Sequence, residues 1–441
     1  MILYSKKLPL RSKYKGFMQA QNNKQRDNFE IMAPVGSYES LMAAIQGGAN
    51  SVYFGIEKMN MRAHSSNNFT FEDLQKIVEI CNKNNVKSYL TVNTVVYNKE
   101  LDLMREIVRA AKENGITAVI ASDLAVINYA RQIGVEVHIS TQLNVSNIES
   151  LRFFAQFADV VVLARELSLD QVAEITRIIR EENITGPKGE LVQIEMFVHG
   201  ALCMAISGKC YLSLHEKNYS ANRGACLQTC RKAYVVTEKE SGNQLEIDNE
   251  YIMSPKDLCT IKFLNKVIDA GVTVLKIEGR ARPAEYVKTV AECYNEAINA
   301  YLEGNFNEEK IDDWTQRLSS VFNRGFWDGY YLGQKMGEWS HKYGSRATKR
   351  KVYIGKTTNY FSKIKVAEFL IESYDLKVGD EILITGPTTG VIKTTVKEIR
   401  VDLKNTDKAE KGTVCSVPIN DLIRRSDKLY KIVDADKVKQ Q

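Results

Sequence analysis

The feature that most constrains the fold is a strand-then-helix rhythm that repeats between Glu30 and Gly279. Eight short apolar stretches in this range are typical of buried strands, and helical patterns such as the one at 71–84 separate most of them. The predicted strands are Glu30–Pro34, Ser51–Gly55, Lys87–Asn93, Thr117–Ser122, Glu136–Thr141, Asp159–Ala164, Val192–Val198 and Thr273–Glu278. Apolar strands that alternate with helices form a parallel sheet covered on both faces. Eight such units predict an α/β fold, a (β/α)8 TIM-like barrel, with a doubly wound open sheet as the alternative.

A second unit follows the barrel, because 441 residues exceed what one hydrophobic core usually accommodates. Beyond the basic stretch 341–351 the rhythm changes to short strands punctuated by turn residues such as Gly379-Asp380, which is typical of a small all-β barrel. The predicted organisation is a basic N-terminal tail at 1–29, the catalytic barrel at 30–305 with a Cys-rich insertion at 200–260, a helical and basic linker at 306–350, and a C-terminal β-barrel at 351–437.

The insertion carries four of the eight cysteines, Cys203, Cys210, Cys226 and Cys230. Their spacing is C-x6-C, fifteen residues, and then C-x3-C. Paired thiols at two ends of a polar loop are the donor set that an iron–sulfur cluster or a soft metal needs. Four thiolates also suit tetrahedral zinc, so zinc stays open as the alternative metal. Cys259 is an alternate ligand that could replace one of the four.

Polar residues follow nearly every predicted strand, at the end where catalytic residues of such barrels lie. The candidates among them are Asn93, Gln142, Arg165, Glu166, His199, Glu278 and Arg280. Because the insertion leaves the chain between the last two barrel strands, we expect its thiols to lie on the same rim. Arg165, His199 and Arg280 are expected to form an anion-binding pocket, since guanidinium groups bind carboxylates through paired hydrogen bonds.

Composition and motifs exclude several classes of protein. No apolar run approaches the roughly 18–20 residues of a membrane-spanning helix, so no membrane partner is expected. Eight cysteines without a secretory signal predict a reduced, cytoplasmic protein. The chain has no H-E-x-x-H zinc-protease motif, no G-x-S-x-G nucleophile motif and no Gly-rich dinucleotide loop after its first strand.

The run from Glu195 to Ser213 resembles the signature of the collagenase-like peptidases, family U-32, which is E-x-F-x-x-G-[SA]-x-C-x4-G-x-C-x-[LIVM]-S. Every fixed position of this signature is matched, by Glu195, Phe197, Gly200, Cys203, Gly208, Cys210 and Ser213. Further stretches similar to the family occur between about residues 30 and 335. The family label implies a peptidase, which is one of the two functions left open.

The single barrel with one β-module resembles most the branch of the family that hydroxylates a wobble uridine of tRNA. This resemblance implies an oxygen-independent RNA hydroxylase that forms 5-hydroxyuridine, with a [4Fe–4S] cluster on Cys203, Cys210, Cys226 and Cys230 and with prephenate, a small dicarboxylate, as hydroxyl donor. The expected catalytic residues are Arg165, His199, Glu278 and Arg280, and the expected substrate-binding residues are Arg62, Asn68, Asn93, Gln142 and Glu166. A non-enzymatic RNA-binding factor is a third, more distant alternative.

Overall fold

The computed structural model describes residues 25–63, 68–234, 251, 253–334, 337–341 and 344–436 of the chain. The strands of the first unit are β1 (Glu30–Pro34), β2 (Ser51–Phe54), β3 (Lys87–Val92), β4 (Ala118–Ala121), β5 (Glu136–Ile139), β6 (Val160–Val162), β7 (Gln193–Ala201), β8 (Asp257–Cys259), β9 (Val274–Ile277) and β10 (Phe326–Trp327). Strands β1 to β7 pair in parallel in chain order, and β9 pairs with both β7 and β1 and so closes the ring. The predicted (β/α)8 barrel is confirmed, and the ends of its eight strands lie within three residues of the predicted positions.

The helices cover the outside of the ring, except for a short one in the insertion. They are α1 (Tyr38–Gln46), α2 (Asp73–Lys83), α3 (Leu101–Glu113), α4 (Leu124–Gln132), α5 (Ile148–Ala155), α6 (Leu169–Glu181), α7 (Leu212–Lys217), α8 (Leu264–Asp269), α9 (Ala284–Leu302) and α10 (Glu308–Ser320). The start of helix α6 is set by a capping box. The Ser168 side chain accepts a hydrogen bond from the Gln171 backbone N–H, and the Gln171 side chain accepts one from the Ser168 backbone N–H. No helix in the described ranges combines the length and the apolar character that crossing a membrane requires.

Side chains fill the interior of the barrel, so the ring is a packed core closed below its carboxyl end. Met32, Tyr53, Tyr89 and Ile120 belong to this inner cluster. The Tyr89 hydroxyl donates to the buried carboxylate of Glu30 at 2.8 Å, which satisfies both groups. The open space of the barrel is therefore confined to its carboxyl end.

The second unit is a small all-β module of antiparallel strands with its own apolar core, as predicted. Its strands are β11 (Lys349–Phe361), β12 (Val366–Ile371), β13 (Leu376–Lys377), β14 (Glu381–Gly386), β15 (Gly390–Thr395), β16 (Ile399–Val401), β17 (Lys404–Thr406), β18 (Lys408–Ala409), β19 (Val414–Pro418) and β20 (Lys428–Asp434). Between residues 390 and 401 the chain forms two strands, β15 and β16, and not one continuous strand. Strand β11 begins at Lys349, inside the stretch predicted as linker.

The module packs against helices α1 and α9 of the barrel. The Gln46 side chain donates to the Thr389 carbonyl at 2.9 Å and accepts from the Val391 backbone at 2.9 Å. The side chain of Val391 belongs to the same apolar core as the barrel helices. The Lys351 ammonium lies 2.9 Å from the Glu285 carboxylate across this interface. Of the predicted N-terminal tail, residues 1–24 lie outside the described residues.

Candidate active site

A cavity of about 150 Å³ opens at the carboxyl end of the barrel, under the Cys-rich insertion. Both the strand ends and the insertion contribute to its wall. The chemically active side chains that line it are Tyr53, Arg62, Thr91, Asn93, Gln142, Arg165, Cys203, Cys210, Cys226, Cys230, Arg231, Lys276, Glu278 and Arg280. Six of the nine non-cysteine residues expected at the site line this cavity, together with all four cysteines of the insertion; the six are Arg62, Asn93, Gln142, Arg165, Glu278 and Arg280.

The Glu278 carboxylate is the centre of the polar wall. It lies 3.5 Å from the Arg62 guanidinium and accepts from the Tyr53 hydroxyl at 3.1 Å. Burial alone would raise the pKa of Glu278, but the guanidinium groups of Arg62, Arg165 and Arg280 outweigh burial and hold that pKa below its usual range. Glu278 is therefore a carboxylate, not a carboxylic acid, at neutral pH.

Arg280 is fixed from two sides of the cavity. Its guanidinium donates to the Thr91 hydroxyl at 3.1 Å, and burial lowers the pKa of Arg280 to about 10 despite the nearby Glu278. Gly55 is required beside it, because a Cβ at that position would lie 2.5 Å from the guanidinium nitrogen and 2.6 Å from the Asn60 side chain. The chain at the end of strand β2 thus approaches Arg280 closely and restricts the position of its guanidinium.

Arg165 also lines the cavity, with its guanidinium 3.7 Å from the centre of the Phe197 ring. One terminal nitrogen donates to the Ala201 carbonyl at 3.1 Å. Its Nε is buried and has no hydrogen-bond partner among the described residues. A buried donor without a partner is costly, so this nitrogen is available to a ligand in the cavity.

Lys276 is a cavity residue that the sequence analysis missed. Its ammonium pairs with the buried Glu195 carboxylate at 2.5 Å and lies 4.7 Å from the centre of the Tyr53 ring. The signal was present in the sequence, since Lys276 precedes Glu278 by two positions and alternate residues of a strand share a face. Glu195, a fixed position of the signature, therefore holds a cation under the cavity floor.

The four cysteines of the insertion all border the same cavity. The Arg62 guanidinium lies 4.0 Å from the Cys226 sulfur, and burial raises the pKa of both Cys210 and Cys230. Within the described ranges, no group of three or more His, Cys, Asp or Glu side chains is close enough together to hold a single metal ion. Four thiols that border one cavity are a donor set for an iron–sulfur cluster or for zinc.

Arg231 ties the two ends of the insertion together. Its buried guanidinium donates to the Leu202 carbonyl, where the chain leaves β7, and to the Ser254 hydroxyl and Pro255 carbonyl, where it returns, at 2.6, 3.0 and 2.5 Å. Cys230 directly precedes Arg231 in the chain, so these three bonds restrict where its backbone can lie.

His199 lies outside the cavity lining, in contrast to its expected catalytic position. Its ring is buried among Tyr286, Tyr294 and Phe326, with centroids 5.6–5.9 Å away, and burial lowers the pKa of His199 to about 4. The cause is a shift in the pairing of β7 with β9 between Phe197 and His199. Such a bulge reverses the alternation of side chains, so Phe197 faces the cavity and His199 faces away.

Three further expected residues also lie off the cavity lining. Glu166 is exposed to solvent, and Cys259 is buried on β8, where burial raises its pKa to about 12. Asn68 donates to the carbonyls of Arg62 and Ala63 at 3.3 and 3.2 Å, so it positions the loop that carries Arg62. By contrast, Asn93 and Gln142 border the cavity, and the Gln142 side chain accepts from the Ser122 hydroxyl at 3.1 Å.

Comparison with known proteins gives one family and two kinds of named relative. The family model described as peptidase family U32 matches residues 36–341. A Porphyromonas gingivalis protein named collagenase is 64% identical over 405 residues, which cover 92% of this chain and 98% of that protein. The Bacillus subtilis tRNA hydroxylation protein P1 is 32% identical over 366 residues, 81% of this chain and 83% of that protein. The 23S rRNA 5-hydroxycytidine synthase of Escherichia coli is 29% identical over 316 residues, 70% of this chain and 46% of that protein. With a matched model over most of its length and these relatives, the chain belongs to peptidase family U32.

Proposed function

We propose that this protein is an oxygen-independent RNA hydroxylase that converts the wobble uridine of a tRNA to 5-hydroxyuridine. In this proposal Cys203, Cys210, Cys226 and Cys230 hold a [4Fe–4S] cluster, and prephenate supplies the hydroxyl group. Relatives named for tRNA and rRNA hydroxylation support the reaction class. The observation that carries the proposal is that guanidinium groups and four thiols border the same cavity.

The charge balance of the cavity supports an anionic co-substrate. Its lining includes four arginines and Lys276, while Glu278 is the carboxylate in the lining and Glu195 neutralises Lys276 from below. Three guanidinium groups around Glu278 leave positive charge that a dicarboxylate can neutralise in a largely buried site. The unpartnered Nε of Arg165 is a donor for one of its carboxylate groups.

In the proposed reaction, a hydroxyl group replaces the hydrogen on carbon 5 of the uracil ring. The base is oxidised by two electrons, and the donor is reduced by two as it loses its hydroxyl and gains a hydrogen. An iron–sulfur cluster, when bound, supplies one-electron transfer beside the donor. Arg165 and Arg280 orient the donor's carboxylates, and the insertion excludes bulk water from the cavity. The Glu278 carboxylate keeps Arg62 in place between the thiols and the donor.

A peptidase is the second candidate, because the 64% identical relative is named collagenase. A thiol nucleophile among the four cysteines would need a base within hydrogen-bond reach. Histidine usually fills that role, but no histidine is among the described residues that line the cavity, and His199 is buried behind it. The geometry therefore supports hydroxylation better than peptide hydrolysis.

The test is an anaerobic purification followed by three measurements on the same sample. Iron and sulfide are quantified, tRNA incubated with prephenate is digested to nucleosides for mass spectrometry, and denatured collagen is offered as substrate. We expect bound iron and sulfide and a uridine that has gained one oxygen atom. A Cys226→Ser variant should lose both, while a Cys415→Ser variant, changed at a buried cysteine of the C-terminal module, should keep both. Collagen cleavage without nucleoside product, or tRNA binding without product, would refute the proposal.

A further inference from the structure

A group of large apolar side chains is exposed around the mouth of the cavity. We define the rim as Tyr97, Met204, Ile206, Tyr211, Tyr219 and Leu227, of which the three tyrosines are 52%, 76% and 56% exposed. Met204 and Ile206 also line the cavity, and Tyr211 directly follows Cys210 in the chain. Clustered apolar side chains that stay exposed beside a site usually mark a surface that binds a partner.

One part of the rim is already arranged as a stack. The Arg223 guanidinium lies 3.8 Å above the Tyr97 ring, and one of its terminal nitrogens lies 2.7 Å from the Glu100 carboxylate. This ion pair holds a planar cation on an aromatic ring of the rim. Planar cations and aromatic rings are the groups on which unpaired bases stack.

The charge around the rim favours a polyanion. Residues 203–234 contain five Lys or Arg, at positions 209, 217, 223, 231 and 232, against the single acid Glu216. Glu216 pairs with Lys232 and with Lys217, and Glu100, outside this range, pairs with Arg223. With the buried Arg231 left aside, four Lys or Arg face these two acids, so positive charge remains in excess. Alternation of aromatic and cationic side chains matches the alternation of base and phosphate along a nucleic acid strand.

We propose that the rim is a stacking platform for single-stranded RNA, on which Tyr211 and Tyr219 hold the unpaired nucleotides next to the base in the cavity. This inference deepens the proposed function and relies on it for the chemistry in the cavity. Bases of a duplex are stacked on one another and present no free face, so the platform selects loops over helices. It thereby makes an unpaired loop, not a paired stem, the substrate of the site.

The test compares a single-stranded RNA oligonucleotide with the same strand annealed into a duplex. Wild-type protein should bind the single strand more tightly, and the Tyr211→Ala and Tyr219→Ala variants should each bind it about tenfold more weakly. The corresponding Tyr→Phe variants should bind like wild type, because the ring and its stacking are retained. Affinity should keep the same salt dependence in all of them, since no phosphate contact is removed.

The matched control is Phe153→Ala, which removes an aromatic side chain that is 50% exposed on helix α5 and should leave RNA binding unchanged. If the Tyr→Ala variants bound the single strand as tightly as wild type does, the platform would be overturned. The same conclusion would follow if these variants bound a denatured collagen peptide more weakly than wild type but bound RNA equally well. Nucleoside analysis of the wild-type reaction tests the proposed function separately. Absence of product with intact single-strand preference would reject the hydroxylation and support the platform.

Discussion

Replacement of Arg280 by lysine should weaken the binding of a dicarboxylate, although the positive charge at this position is retained. The Arg280 guanidinium is 6% exposed and is held by the Thr91 hydroxyl at 3.1 Å, so its second nitrogen is presented to the cavity in a fixed plane. Lysine retains the charge but not the planar fork. One charge-assisted hydrogen bond contributes about 1.5–3 kcal/mol, which corresponds to a rise in Kd of roughly 10- to 150-fold.

Arg282→Lys is the matched control for this substitution. Arg282 is also buried, donates to the Asp257 carboxylate at 3.0 Å and stacks 3.8 Å from the Phe322 ring, outside the cavity lining. Both variants should lose stability in thermal denaturation, but only Arg280→Lys should bind prephenate more weakly in titration calorimetry. Equal affinity of the two variants for prephenate would refute the assignment of Arg280 to an anion pocket.

Three further predictions concern the supports of the site. Gly200→Ala should lower the free energy of unfolding in urea by more than about 2 kcal/mol, because Gly200 has a φ of +106° and a Cβ there would overlap a backbone carbonyl. Gly412→Ala, at a φ of +90° with nothing within 4 Å, should cost less, and equal losses would argue against the overlap. Burial lowers the pKa of His199 to about 4, below the usual value near 6.5, so the unfolded state binds more protons between these pH values. The free energy of unfolding should therefore fall as the pH drops from about 6.5 towards 4, by about 3 kcal/mol in all. A His199→Gln variant that shows the same pH dependence in urea titrations would assign it to other groups. Deletion of residues 349–441 should flatten the salt dependence of tRNA binding and leave the visible absorption of the proposed cluster, although the loss of Val391 from the shared core should reduce stability. An unchanged salt slope would show that the module does not bind tRNA.

The sequence contains enough information for the barrel because its signal is periodic. Each buried strand is an uninterrupted apolar run, and each helix repeats apolar residues at three and four positions, so strand ends are located to within three residues. Strands β8 and β10 were missed because they are only three and two residues long. Runs of that length carry no periodicity that distinguishes them from turns.

The site was harder to predict where it depends on a local irregularity. Regular alternation along β7 would place His199 on the cavity side with Phe197, and only the bulge between them turns it away. No residue type in that stretch predicts the bulge. Lys276 was missed for a different reason, since a lysine inside a strand is usually solvent-exposed, and its burial depends on Glu195, which is eighty-one positions earlier in the chain.

The bonds of Arg231 have a consequence for how this family can diversify. Because one side chain links Leu202 to Pro255, the mouth of the cavity is fixed at the base of the insertion. The hydrogen bonds of this one guanidinium thus close the insertion as a loop at its base. The free energy needed to close a loop rises only slowly with its length. Relatives can therefore differ in the length of the insertion without a change at the mouth of the cavity.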